Sequence, residues 1–367
     1  MKTLTRLTVV GVACLTALTL AACGSANTGT TSPSTPAGAS SPATSASSGS
    51  PAGQISIAYI QKQASQSYFV SQKAGAQAEA DKLGIKVTFY PLADTADASA
   101  AIDAVNQAIA QKVNGIIIVP PDGSVGPQVT QLADGAGIKI ISSDDQVCKD
   151  NPDPTKCDPA NLLPRVGFDG TEMGKEVGTE AATLFKQFGW APADTAIVAS
   201  WDPTVTVCTQ RVDAAGAAFT ANGASAATTI NLSTDNTPSG AQDKASAMLT
   251  ANTKYKHWVV WGCNDENVSG VVTAMQNAGI TPDNINAVAL GAYLACKPWN
   301  ANTPSGMKAS LYISGADVGQ KAIDVMYDWL ANGKQPPATT LASTHMVTPD
   351  NWKTTMSADD AAACSKS

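Results

Sequence analysis

From residue 54 onward the chain alternates short apolar runs, rich in β-branched residues, with stretches that carry one apolar stripe at helical spacing. That alternation restricts it to a narrow class of architectures. The runs QISIAYI (54–60), IKVTFY (85–90), GIIIVPPD (115–122) and IKIISSDD (138–145) are predicted strands. So are RVGFD (165–169), TAIVASWD (195–202), ATTINL (227–232), HWVVWGCND (257–265) and INAVALGAY (285–293). Runs apolar almost throughout belong to strands buried on both faces, as in parallel sheets. Between them Ala98, Ile102, Val105 and Ile109, and later Val318, Ala322, Val325 and Trp329, recur at helical spacing. Strand, helix, strand throughout predicts an α/β fold with right-handed crossovers. The strands are too many for one simple sheet, so two doubly wound parallel-sheet lobes are expected.

The first 53 of the 367 residues lie outside this pattern. Lys2 and Arg6 precede a 14-residue apolar stretch, residues 7–20, too short to span a bilayer and suited to a secretory signal. The next residues, LAACG (20–24), resemble the lipobox of bacterial lipoproteins, which implies a signal over residues 1–22 and lipidation of Cys23. The alternative is a small-residue cleavage site that happens to carry a Cys. Residues 24–53 are Gly, Ser, Ala, Thr or Pro with the sole exception of Asn27, a composition expected to serve as a disordered tether. A lipid at Cys23 would hold the protein to the outer face of the cytoplasmic membrane.

The whole chain has a net charge of −7; without Lys2 and Arg6, residues 54–367 carry 21 basic against 30 acidic residues. Such a surface argues against nucleic acid or anionic lipid headgroups as principal partners. Six cysteines remain after Cys14 and Cys23, an even number that suits disulfides in an exported domain. Cys148 and Cys157 bracket a short Pro/Asp-rich loop and are expected to pair. The other four stay open, with Cys208–Cys263 and Cys296–Cys364 as one arrangement. No CxxC occurs, and neither His257 nor His345 has ligand-like spacing to Cys, so no metal and no cofactor is expected.

In open parallel sheets ligands sit beyond the carboxyl ends of the strands. Residues 120–122, 144–146, 168–169, 201–202, 264–265 and 292–293 occupy those positions. Their carboxylates, amides and aromatic rings form the chemistry that binds sugars: acceptors for hydroxyls, and apolar faces for the ring. Any one such Asp or Asn could instead cap the next helix.

The segments KQASQSYF, GIIIVPPD, SSDDQ, KHWVVWGCND and PDNW together resemble the L-arabinose-binding protein branch of the periplasmic sugar-binding proteins, the solute receptors of ABC importers. The resemblance covers nearly all of residues 54–355. It implies two α/β lobes joined by a three-segment hinge, residues 54–165 with 312–337 and residues 166–311 with 338–367. Carried over position by position, it implies that Lys62 hydrogen-bonds the sugar ring and that Tyr68, with Phe69 beside it, stacks. Asp144 and Asp145 match a pair that accepts near the anomeric carbon, Arg211 a donor clamp from the far lobe, and Asn264 a combined donor and acceptor. The chain departs from the pattern at Gly291 and Leu294, where the family has Asn and Asp, leaving Tyr293 nearby. Val119, Val207 and Cys263 replace Cys, Thr and Met, and Phe168 replaces another Met. The altered, more apolar floor leaves a different monosaccharide, a deoxy sugar or a polyol as credible as L-arabinose.

These features together predict a monomeric, lipid-anchored receptor that closes over a sugar and delivers it to a membrane permease. Two other classes fit less well. A hydrolase would need a separated acid and base, whereas adjacent pairs such as Asp144/Asp145 or Asp265/Glu266 in extended chain point apart. There is no GxSxG, and the segment 170–175 falls one residue short of a phosphate-binding loop. A DNA-binding regulator would need a helix-turn-helix where the signal and tether stand. A sensory receptor would use the same closure as a transport receptor.

Overall fold

The computed structural model describes residues 55–93 and 97–365. The expected signal, the expected lipidation at Cys23 and the expected tether lie outside the described residues. The chain folds into two six-stranded sheets, each sandwiched between helices.

The first sheet runs β11-β5-β4-β3-β1-β2, with β1 Ser56–Gln61, β2 Lys86–Pro91, β3 Gly115–Ile118, β4 Lys139–Ser143, β5 Arg165–Gly167 and β11 Thr339–Leu341. Every pairing in it is parallel. The second runs β12-β10-β9-β8-β6-β7, with β6 Thr195–Trp201, β7 Thr228–Ser233, β8 His257–Gly262, β9 Ile285–Gly291, β10 Met307–Ile313 and β12 Thr344–Val347. It is parallel except for β12, which runs antiparallel to β10. The nine expected strands all form. The three unexpected ones have a physical reason to escape notice: β10 breaks its apolar run with Lys308 and Ser310, and β11 and β12 are short, largely polar edges.

Several strands stop short of the apolar run that announced them. β3 ends at Ile118 because Pro120 and Pro121 cannot donate to a ladder, and β4 ends at Ser143 because Asp144 turns the backbone to φ 62°.

Both sheets are covered on both faces, as their composition requires. In the first lobe α1 (Ser67–Leu83) and α9 (Gly315–Asn332) cover Ile57, Tyr59, Ile117 and Ile141. On the opposite face α2 (Ala98–Ala110) and α3 (Gly126–Gly135) cover Ala58, Ile60, Ile116 and Ile118. The second lobe repeats the plan. Its α4 (Gly170–Phe188) and α5 (Thr206–Ala221) pack on Ile197, Val259, Trp261 and Leu290. Its α6 (Pro238–Ala251) and α7 (Asp265–Asn277) pack on Val198, Trp258, Val260 and Ala289. In both lobes helix pairs approach to backbone contact over glycine. A Cβ on Gly319 would stand 2.0 Å from the Gln72 carbonyl oxygen of α1, and one on Gly178 would stand 2.1 Å from that of Ala215 in α5. Among the described residues there are also three short α-helices: α8 Cys296–Asn300, α10 Trp352–Thr355 and α11 Ala358–Ala363.

The chain crosses between the sheets three times: between β5 and α4, between β10 and α9, and between β11 and β12. The last residues of β5 and all of β11 therefore belong with the first sheet. Each sheet changes winding direction at one place, between β1 and β3 in the first lobe and between β6 and β8 in the second. Crevices open at such switch points. No described helix is long and apolar enough to cross a membrane.

Candidate functional site

The carboxyl ends of β1 and β4 and the start of α1 meet those of β6, β7 and β8 across a cavity of about 90 Å³. Lys62, Tyr68, Phe69, Asp144, Asp145, Arg211, Asn264 and Tyr293, all singled out from the sequence, line it. Phe168 does not. It is buried in the core and faces an adjoining chamber of about 290 Å³, with its ring centroid 6.4 Å from that of Tyr68.

The first-lobe wall is a hydrogen-bonded cluster. The left-handed backbone at Asp144 sends two consecutive carboxylates in different directions. Asp145 forms an ion pair with Lys62, which follows β1 directly. Asp144 accepts from the Tyr68 hydroxyl, from Gln72 Nε2 at 2.6 Å and from Ser143 Oγ at 3.1 Å. Burial pushes the Asp144 carboxyl above the usual range, the Tyr68 hydrogen bond opposes that, and Asp145 adds to it. Burial and the Asp144 charge hold the Tyr68 hydroxyl well above the ordinary phenol range, so it stays a donor. Arg165 fastens the turn from behind, donating through one amino group to the carbonyls of Asp144 and Phe168, both at 2.7 Å. Phe69 is buried, its carbonyl accepts from Gln61 Nε2 at 2.8 Å, and its ring packs edge-on against that of Tyr68 with centroids 5.0 Å apart.

The second-lobe wall centres on Arg211, one turn into α5. It donates to the Cys263 carbonyl oxygen at 3.0 Å, while its buried Nε has no partner among the described residues. Burial lowers the Arg211 guanidinium from its ordinary value, against the attraction of Asp145 and Asp144 across the cleft. A disulfide joins Cys208, in the first turn of α5, to Cys263 at the end of β8, and both residues line the cavity. The expected Cys148–Cys157 bond forms, as does Cys296–Cys364.

Asn264 is first of all the N-cap of α7: its Oδ1 accepts from the backbone N–H of Asn267 at 3.0 Å, and its Nδ2 donates to the Asn236 carbonyl at 3.2 Å. The same capping role falls to Asp122 and Asp169. Tyr293 gives the cavity its ring only, 6.3 Å from that of Tyr68. Its hydroxyl lies 3.0 Å from both the Ile313 carbonyl and the Gly315 N–H, at the crossing from β10 to α9.

Several contributors escaped sequence reasoning. Asn236 follows β7, where the predicted strand stops at Leu232 and no polar end was marked. Gln72 reaches Asp144 from the second turn of α1 and reads in sequence as an ordinary helix glutamine. Glu266, considered only as half of an acid pair, lines the cavity; burial beside Asp265 pushes its carboxyl up to about 8. Asp360, near the C-terminus, accepts from Ser71 Oγ at 2.7 Å and from the Tyr312 hydroxyl at 2.6 Å, tying α1 of one lobe to β10 of the other.

Two doubly wound lobes, three crossings and a cavity lined from both sides define a two-lobed binding protein. Residues 57–335 match the periplasmic binding protein domain, and the chain belongs to that family. An ABC transporter L-arabinose-binding periplasmic protein of Azospirillum brasilense is 26% identical over 280 residues, covering 76% of this chain and 82% of that one. The L-arabinose-binding periplasmic protein of Escherichia coli is 26% identical over 277 residues, 75% of this chain and 83% of its own. Among solved structures, a solute-binding protein of Actinobacillus succinogenes with bound D-allose superposes with a TM-score of 0.69 at 23% identity, over 82% of this chain and 99% of that one. The arabinose-binding component of Shewanella, bound to L-arabinofuranose, gives a TM-score of 0.69 at 20% identity over 85% and 99%. At these identities the structures attest to the fold.

Proposed function

We propose that the protein is an exported, lipid-anchored, monomeric receptor that holds a monosaccharide or related polyol between its lobes and delivers it to the permease of an ABC importer. The observation that carries this reading is the pairing of unlike walls around one cavity. Acceptors and an aromatic face, Asp144, Asp145 and Tyr68, come from the first lobe, and the Arg211 donor comes from the second. A sugar presents hydroxyls to both walls at once, so it bridges them and draws the lobes together. Lys62 and Asn264 supply further donors, and Tyr293 and Phe69 supply apolar surface. Two relatives named for L-arabinose binding support the sugar class.

The role is binding rather than catalysis. Asp265, the most buried acid of the cavity, is spent on the backbone N–H of Leu294 at 2.9 Å and on Ser310 Oγ at 3.1 Å. Adjacent Asp144 and Asp145 are likewise engaged by Tyr68, Gln72 and Lys62, so neither stands free as the acid or base of a hydrolytic pair. The test is a thermal-shift screen of the protein against pentoses, hexoses and polyols. A ligand at 100 times its Kd adds about 2.7 kcal/mol of stability. One sugar or polyol is expected to raise the melting temperature; a panel that leaves it unmoved rejects the reading.

A further inference from the structure

Two cations face six acids around the cavity, and one of those acids has neither a cation nor a hydrogen-bond donor from another residue among the described residues. Lys62 is matched by Asp145, and Arg211 faces the Asp144–Asp145 pair across the cleft. On the second-lobe wall Asp202 accepts from the backbone N–H and hydroxyl of Thr204, and Asp235 does the same with Thr237, each closing its own turn. Asp265 is buried under the backbone N–H groups of Leu294 and Ala295. Tyr68 and Tyr293 are held far above the ordinary phenol range and contribute no charge. Glu266 remains. It is the second residue of α7 and lines the cavity, and its only polar contact among the described residues is its own backbone N–H.

A half-buried carboxyl that lines such a cavity with no cation beside it is shifted toward its neutral form. In the neutral state it owns an O–H donor, which its ionised neighbours do not. We propose that Glu266 is a specificity-determining residue that meets the ligand as a protonated carboxylic acid, donating its O–H to an oxygen of a neutral sugar or polyol. Burial and the neighbouring Asp265 support that protonation state at neutral pH. This inference rests on the reading of the cleft as a sugar site. Its consequence is that closing the cleft on the ligand takes up a proton, because opening it lets water reach Glu266 and favours the ionised form.

Calorimetry with the sugar or polyol found in the thermal-shift screen, in two buffers of different ionisation enthalpy, counts that proton. The expected result is uptake of about one proton per ligand near pH 7, with affinity weaker by roughly tenfold or more at pH 8 than at pH 6. Glu266→Gln, which keeps a neutral donor, should bind within about threefold of wild type at pH 6 and lose both the proton uptake and the pH dependence. Affinity independent of pH in the wild-type protein overturns the proposal, and so does a pH dependence that survives in Glu266→Gln. A preference for an amino sugar that vanishes in Glu266→Gln also overturns it, by showing an ionised Glu266. If no sugar or polyol binds at any pH, the reading of the cleft fails first and this inference falls with it.

Discussion

Arg211 shows how one side chain answers to both the fold and the site. Its hydrogen bond to the Cys263 carbonyl fixes the guanidinium against β8, its buried Nε has no partner among the described residues, and the proposed ligand would supply one. Hydrogen bonds to a charged group are worth about 1.5–3 kcal/mol. Arg211→Ala is therefore expected to weaken sugar binding by at least about tenfold with the far-ultraviolet circular dichroism unchanged, and Arg211→Lys to restore little, because an ammonium lacks the planar fork. Calorimetry on both variants decides it; unchanged affinity removes Arg211 from the site. Glu266 makes a separate prediction about the closed, ligand-bound protein. The folded form holds a proton that the unfolded chain loses in the ordinary carboxylate range, so its contribution to stability falls as pH rises from there toward about 8 and levels off beyond. Urea titrations from pH 5 to 9 at saturating ligand should show a shallower decline in Glu266→Gln, and an identical decline would contradict a protonated Glu266 in the closed cleft. Strand-end position alone was enough to pick out Asp144, Asp145 and Asn264 as cavity residues, while Lys62 came from the family resemblance. It could not tell that Asn264 is spent largely on its helix, or that the Tyr293 hydroxyl belongs to a crossing, since those commitments depend on partners far away in sequence.

At the scale of elements, the disulfides separate by what they hold. The Cys148–Cys157 bond closes a loop of sequence separation 9, the Cys208–Cys263 bond one of 55 and the Cys296–Cys364 bond one of 68. On the chain-entropy model these are worth about 2.6, 4.2 and 4.4 kcal/mol. Replacing each pair by Ala should lower the melting temperature least for Cys148/Cys157. The Cys208/Cys263 replacement alone should also weaken ligand binding, because it releases the turn of α5 that precedes Arg211. Scanning calorimetry and ligand titration on the three variants check both statements. The C-terminal α11 is a second such device. Cys364 anchors it to Cys296, and buried Asp360 accepts from both lobes. Asp360→Ala strands the donors of Ser71 and Tyr312, at a cost of about 1–3 kcal/mol for each donor left buried. A melting temperature within a degree of wild type would refute that role. The loop pair Cys148–Cys157 could be read from its short spacing. The longer pairs, like the bridge at Asp360, are made by tertiary approach and have no local signature.

At the scale of the molecule, the alternation of apolar strand and striped helix was sufficient for two doubly wound lobes, because strands buried on both faces must be apolar on both. It was insufficient for β10, β11 and β12, where edge position or a polar break removes that requirement. Those three elements, with β5, are the ones that flank the crossings, so the hinge is the least legible part of the fold and the walls of the cleft the most. Three crossings join the lobes, and in the proposed role they act as a hinge across which a bridging ligand shifts the equilibrium toward a closed form. The measurement that bears most directly on lobe closure is small-angle X-ray scattering of the protein with and without the sugar or polyol that raises its melting temperature. Closure predicts a smaller radius of gyration on adding ligand to the wild-type protein and no change in Arg211→Ala. Saturated binding with an unchanged radius, or contraction that persists in Arg211→Ala, would contradict a receptor that works by closing its lobes on a bridging ligand.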